Sequence, residues 1–266
     1  MTDINKKIAL VIGDTHDAPQ INKERFYWIG RHTAVLKPDV LIHIGDISSF
    51  DSLCHFIPDD TYTAKVTKPL YEEDMLSLQE ALFELDKGLG DYNVKKVLLE
   101  GNHEFRLHKY ADKNPPVFGM LQKRFYEVME SFNWEHIEMS KMYNFGGVNF
   151  THVPINAMGK AYGGVNAERK IATETQCDLV FGHSHRFQDV RVPVLGSPLA
   201  YRRVVNVGSS MPYGHIEDYA KHNLSGWTWQ ITEIRIWDNH IQEVNSISMQ
   251  TLEQLYKRRK KNVLSN

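Results

Sequence analysis

Residues 97–107 read VLLEGNHEFRL, so an apolar stretch stops at Gly101 and an amide, an imidazole and a carboxylate follow side by side as Asn102, His103 and Glu104. The arrangement recurs along the chain. Asp14, His16 and Asp17 follow Gly13 in GDTHD, Asp46 follows Gly45 in GDISSFD, and His183 and His185 follow Gly182 in GHSH. An isolated His152 stands in FTHV. Imidazoles, carboxylates and an amide, with no thiolate among them, suit Mn²⁺ first, with Fe, Zn²⁺ or Ni²⁺ as alternatives, better than Ca²⁺ or a Cys-rich structural zinc. The set is too large for one ion. Two divalent ions sharing a bridging carboxylate would use it, and such a pair clamps the attacking and leaving oxygens of an in-line displacement.

Donors so scattered need elements to gather them. Residues 8–12, 40–44, 94–99, 178–181 and 203–207 are short, largely apolar runs, each closed by a glycine directly or one residue on. They predict buried strands. Between them lie helical patterns over residues 25–36, 71–85, 117–132 and 166–175. The second of these puts Met75, Leu78, Leu82 and Leu85 on one face, and the third puts Met120, Leu121, Phe125, Val128 and Phe132 on another. Residues 227–236 alternate and residues 241–247 follow, which predicts an antiparallel hairpin turning at Asp238-Asn239. A second hairpin is expected over residues 142–151, turning at Gly146-Gly147. Strands alternating with helices argue a layered, mixed α/β fold, two packed sheets with helices outside, in a single domain over residues 1–266. Strand tips in such sheets gather at one edge, where ligands bind, so Asp14 and His185 would meet despite their separation.

Composition narrows the class. With 42% hydrophobic and 24% charged residues and a formal net charge of −2, the chain is ordinary for a globular protein and carries no global basic field for nucleic acid or anionic membrane. Two cysteines, Cys54 and Cys177, form no CxxC pair and suit a reducing, cytoplasmic setting. The N-terminus lacks a secretory h-region, and no run reaches the roughly 18 apolar residues of a membrane helix. A soluble protein with no membrane partner is expected. The basic stretch at residues 257–262 reads as a solvated helix end, with a nucleic-acid contact as its alternative. Nothing in the sequence sets an oligomeric state.

GDTH, GD, GNHE, an isolated His and GHSH, in that order and each behind an expected strand, resemble the calcineurin-like metallophosphoesterases, in particular the small phage and bacterial type. The resemblance implies a four-layer αββα sandwich of two mixed β-sheets flanked by helices. It also implies roles. Asp14, His16 and His185 would hold one ion, Asn102, His152 and His183 the other, and Asp46 would bridge them. A hydroxide between the ions would be the nucleophile. His103 would face the substrate and assist the leaving oxygen. Glu104 would orient a neighbour or cap the next segment, and His43 would support the site from within its strand. Arg106 and Lys109 are candidates for substrate phosphate, as are Lys160 and Tyr162 in the glycine-rich residues 154–166. The second motif lacks the arginine of the protein phosphatases, and Asp51 is out of register for a carboxylate partner to His103. The expected activity is hydrolysis of small or nucleotide phosphodiesters. An Mre11/SbcD-like nuclease on DNA or RNA is the alternative, and a non-catalytic metal-binding scaffold the third.

Overall fold

In a computed structural model of the chain, the described residues are 6–55, 62–197, 200–217, 220 and 226–257. The basic stretch beyond residue 257 lies outside them. Five of the strands are the runs anticipated above, and a pair of hairpins adds most of the rest. One sheet has six strands in the order β11 (His240–Ser248), β10 (Gln230–Trp237), β1 (Lys7–Ile12), β2 (Val40–His43), β3 (Lys95–Leu99) and β4 (Trp134–Ile137). Its β1 to β4 run parallel, while β10 and β11 are antiparallel additions beside β1. The other sheet has five strands, β5 (Tyr143–Phe145), β6 (Val148–Thr151), β7 (Leu179–Phe181), β9 (Tyr201–Val207) and β8 (Phe187–Pro193), and is likewise mixed. Both expected hairpin turns form. Asp238 and Asn239 take φ of 55° and 61°, and Gly146 and Gly147 take 62° and 85°, the signature of a two-residue turn whose twist matches its strands.

The helices are α1 (Glu24–Leu36), α2 (Tyr62–Thr67), α3 (Tyr71–Leu89), α4 (Arg106–Lys113), α5 (Met120–Ser131), α6 (Ala167–Glu174) and α7 (Met249–Tyr256). Strand periodicity of two sorts the core into layers. Leu10, Ile12, Leu41 and Leu98 face Phe26, Ile29, Leu78, Leu82 and Phe125 of α1, α3 and α5. Their neighbours Ala9, Val11, Val40, Ile42, Val97 and Leu99 face Val148, Phe150, Val180, Val205 and Val207 of the second sheet. Ile171 and Ala172 of α6 cover the far side of that sheet on Leu179, Phe181 and Val204. The result is the four-layer αββα sandwich.

Local departures have local causes. β10 was expected to alternate, but Ile231, Thr232, Glu233 and Ile234 are buried in succession, because β10 lies between β1 and β11 rather than on an edge. α3 runs a turn past Leu85 and buries Leu89. α5 starts late, since Pro115–Val117 forms a separate 3-10 turn, and Met120 is exposed while Gln122, Phe125, Val128 and Met129 make the buried face. β4, β8, α4 and α7 add to the elements read from the sequence. The N-terminus of α7 is held by Ser248, whose hydroxyl accepts from the Thr251 N–H at 3.0 Å.

Candidate metal centre

The loops after β1, β2, β3, β6 and β7 meet at one edge of the sandwich. Backbone bonds set their register: the N–H groups of Thr15 and His16 donate to Asp46 O at 3.1 and 3.0 Å, and Asp17 N–H donates to Ile47 O at 2.9 Å. Side chains then lock them. His43 Nδ1 accepts from Gly45 N–H at 3.3 Å, which leaves its Nε2–H for Thr15 Oγ1 at 3.0 Å, and that hydroxyl donates to Ile47 O at 2.7 Å. Burial holds the His43 pKa down to about 3, so this bridge is neutral. Glu104, fully buried, accepts N–H bonds from Asp46, Ile47 and Gly101 at 2.8 Å each and a longer one from Ser48 at 3.4 Å. It ties the GD loop to the GNHE turn, which resolves its open role in favour of orienting neighbours. Burial and the nearby Asp46 push its pKa up to about 8 while the N–H donors pull the other way.

Two glycines in these motifs are there for space. A Cβ on Gly101 would lie 2.2 Å from Asp46 Oδ1, and one on Gly182 would lie 2.6 Å from Asp14 Oδ1. Both carboxylates occupy the room the missing side chain leaves. His16, Asp46, His183 and His185 all adopt left-handed backbone conformations, with φ of 43°, 52°, 72° and 58°. Each costs on the order of 1–2 kcal/mol relative to a right-handed alternative. Six other non-glycine residues among the described ones, including Lys37 and the hairpin pair Asp238 and Asn239, share that conformation, so the strain at the ligands accompanies the site without defining it.

Several of the donors lie close together. The ligand atoms of Asp14, His16 and His185 lie within 4.8 Å of one another, as do those of Asp46, His152 and His183. Asp46 Oδ2 stands 3.8 Å from His16 Nε2 and 3.4 Å from His152 Nε2, between the two groups. His185 Nε2 lies 3.0 Å from Asp14 Oδ2 and 3.2 Å from His16 Nε2. His152 donates its Nδ1–H to Ile44 O at 3.1 Å, so its Nε2 lone pair faces Asn102 Oδ1, 3.1 Å away, and Asp46. Lone pair against lone pair is repulsive unless a cation stands among them or a proton intervenes. The Nδ1 atoms of His16 and His185 are buried without a hydrogen-bond partner among the described residues. The donor chemistry therefore fits two divalent cations. Burial, reinforced by the neighbouring His103 and His185, keeps the His16 pKa far below its ordinary value. Burial would raise the Asp46 pKa, but it is held well below the carboxylate range by the facing imidazoles, His152 above all. In the protein alone His152 bears the compensating charge: burial opposes it, but Asp46 lifts its pKa to about 9. An exposed His183 and a half-buried Asn102 leave the centre open to solvent on one side.

His103 stands beside the first group, its ring centroid 4.3 Å from that of His16. Its backbone N–H donates to Asp46 Oδ1 at 2.8 Å and its Nδ1–H to Ser49 O at 2.8 Å. Its orienting partner is thus a carbonyl, and Asp51 pairs instead with Arg106 at 3.4 Å. Arg106, at the head of α4, donates to Ser49 O at 2.7 Å and places Nη2 3.3 Å from His103 Nε2. Two expected substrate contacts lie on the residues that follow His152. Lys160 is exposed on a loop folded back by the Ile155–Ala161 bridge, and Tyr162 turns to α6, where its hydroxyl donates to Glu174 and its ring packs against the outer core. Sequence reasoning missed Ser49, which acts through its carbonyl, and Glu217, whose Oε1 lies 4.0 Å from His16 Nδ1 and 3.3 Å from His215 Nε2. It also missed Trp227, whose ring meets that of His185 edge-on with centroids 4.4 Å apart. Glu217 and Trp227 lie outside the motifs, and Ser49, though inside GDISSFD, contributes a backbone carbonyl that its residue type does not announce.

A family profile described as calcineurin-like phosphoesterase matches residues 9–187, the span that holds every one of the candidate ligands. The chain belongs to that family. Among solved structures, a conserved uncharacterised protein from Streptococcus pneumoniae, described as a predicted phosphoesterase, is 14% identical over 93% of this chain and 92% of its own, with a TM-score of 0.40. Vacuolar protein sorting 29 from Cryptosporidium parvum is 13% identical over 92% and 100%, with a TM-score of 0.43. Nuclease MPE from Pseudomonas putida is 14% identical over 74% and 73%, with a TM-score of 0.34. Likenesses this remote carry nothing about substrate. No curated protein sequence matches the chain.

Proposed function

We propose that this phosphoesterase-family chain is a two-metal phosphodiesterase. The observation that carries the reading is the position of Asp46, whose Oδ2 lies between His16 of one donor group and His152 of the other. Asp14, His16 and His185 would hold one cation, Asn102, His152 and His183 the second, and Asp46 both. Bound there, two divalent cations supply Lewis acidity toward phosphoryl oxygens and acidify a water at neutral pH. The chain's own residues do the rest. Asn102 is a neutral ligand, so it adds no negative charge against an anionic ester. His103 is fixed through Nδ1 on Ser49 O and accepts from Arg106 Nη2 at Nε2, and burial lowers its pKa. It would serve the departing oxygen only once Arg106 turns from Nε2 to the phosphoryl group and frees that nitrogen to take up and pass on a proton. Arg106 beside it meets negative charge growing on the phosphoryl group. The scaffold reading loses ground because the expected ligands and His103 are all present and converge.

The test begins with metal analysis after purification in Mn²⁺, expected near two ions per chain. Hydrolysis of bis-p-nitrophenyl phosphate should exceed that of p-nitrophenyl phosphate. His103→Ala should lower kcat roughly 10²–10⁴-fold, the usual worth of a positioned proton donor, with metal content unchanged. Metal content near zero, or equal loss of metal and turnover in His103→Ala, would refute the proposal.

A further inference from the structure

The mechanism uses Arg106 and stops there, but the surface does not. Beyond its guanidinium opens a cavity of about 390 Å³ whose lining includes Lys68, Arg106, Lys109 and Lys113, with His55 and, among the described residues, one carboxylate, Asp112. Arg106, Lys109 and Lys113 stand at i, i+3 and i+7 on one face of α4, and Lys68 comes from the segment before α3. Seven residues of helix at about 1.5 Å each spread these cations over roughly 10 Å. All four act on His55: its pKa is lowered by desolvation first and then by Lys113, Lys109, Arg106 and Lys68 in turn. The formal net charge of the chain is −2, so this concentration of positive charge is local rather than a general basicity. The cavity begins where the reaction would end, since Arg106 Nη2 lies 3.3 Å from His103 Nε2.

Asp51 meets Arg106 at 3.4 Å and Asp112 lines the cavity, yet among the described lining residues cations outnumber carboxylates, and an added anion would relieve their mutual repulsion. We propose that this cavity is a subsite for a second phosphate of the substrate, the next along a nucleic-acid strand from the bond cleaved at the metal centre. The proposal rests on the phosphodiesterase reading and names its substrate class. The spacing favours a strand, whose phosphates repeat, over a nucleoside polyphosphate: cations spread along two turns of helix reach further than one pyrophosphate unit. Leu53 and Tyr110 supply apolar lining for the sugar or base between phosphates.

The test is fluorescence anisotropy of a short fluorescein-labelled oligothymidylate with the full-length, Mn²⁺-loaded protein, in a His103→Ala background so that the strand is not consumed. Adding Lys109→Glu and Lys113→Glu, both exposed positions, should raise Kd tenfold or more and reduce the magnitude of the log Kd against log salt slope by about two. In the active protein, a terminal phosphate on thymidylyl-thymidine should raise kcat/KM at least fivefold, and the two reversals should abolish that gain. An unchanged Kd, or a gain that survives the reversals, overturns the subsite. ATP displacing the strand at equal phosphate concentration overturns the strand as its source. A chain that binds the strand through these lysines yet cleaves no phosphodiester refutes the enzymatic reading and leaves the subsite standing, so the two failures are distinguishable.

Discussion

Asp17, the last residue of GDTHD, is not a candidate ligand, and the structure gives it a different task with a measurable size. Its carboxylate is fully buried against Arg25 Nη2 at 2.9 Å, Lys23 Nζ at 3.0 Å and Ser77 Oγ at 2.6 Å. Arg25 is itself only 2% exposed. Asp17→Ala would strand that guanidinium in the protein without a counter-ion. Breaking a buried pair from one side costs about 3–5 kcal/mol. Arg25 keeps the carbonyls of Asn22 at 2.6 Å and Thr15 at 3.3 Å, so the lower end, about 3 kcal/mol, is expected. At about 2–4 °C per kcal/mol for a chain of this order of size, Tm should fall by roughly 6–12 °C. A second variant separates lost charge pairing from lost packing. Asp17→Ala with Arg25→Met removes the stranded charge and should recover most of the loss, because an apolar replacement of a buried pair is often neutral. Thermal melts followed by circular dichroism decide it. A single variant that melts within about 2 °C of the parent, below the shift of a 1 kcal/mol effect, would refute the reasoning. So would a double variant no more stable than the single.

Above the Glu104 pKa of about 8, at about pH 9, Glu104→Gln should cost about 2–4 kcal/mol, because an amide NH₂ would face backbone N–H donors where a carboxylate oxygen accepts two; urea unfolding at that pH with an unchanged midpoint would contradict the assigned latch. Asp46→Asn should lower the content of both metals together in elemental analysis, and chelation of the parent protein should abolish hydrolysis until Mn²⁺ is restored; loss of one ion alone would remove Asp46 from its bridging place. Asp74 titrates in the opposite sense to a paired carboxylate. Its side chain is buried, with Oδ2 accepting from Ser52 N–H at 3.1 Å and Oδ1 without a partner among the described residues, and burial raises its pKa from 3.8 to about 6. The folded chain then holds a proton that the unfolded chain releases. This contribution is complete below about pH 4 and is lost as pH rises through about 6, by on the order of 3 kcal/mol. Asp74→Asn should therefore be stabilised relative to the parent at pH 8 and lose that advantage at pH 4; parallel stability-against-pH curves would sink the assignment.

Much of the architecture was legible because it is local. Short apolar runs ending in glycine bury both faces of a strand, and that is visible in residues 8–12 or 94–99 without knowing their partners. The ordered motifs GDTHD, GDISSFD, GNHE and GHSH likewise carry their ligand types openly, and the rule that strand tips share an edge was enough to assemble Asp14, Asp46, Asn102, His152, His183 and His185. Weak elements were missed for an equally local reason. β4 and β8 are short or half-exposed, so their alternation is faint, and α4 is mostly polar because one face borders a cavity rather than a core.

What the sequence determined by itself is the chemistry on offer: which donors exist, in what order, and behind which strands. Only the tertiary structure decided how they are used. That Glu104 latches two loops, that Asp17 answers Arg25 and Lys23 rather than a metal, that Tyr162 belongs to α6 and that Arg106 joins His103 to a ring of lysines all depend on contacts between segments distant in the chain. The reason is physical. Burial and periodicity are properties of neighbouring residues, whereas the partner of a polar side chain is set by loop conformations, here left-handed at His16, Asp46, His183 and His185, that the surrounding packing imposes.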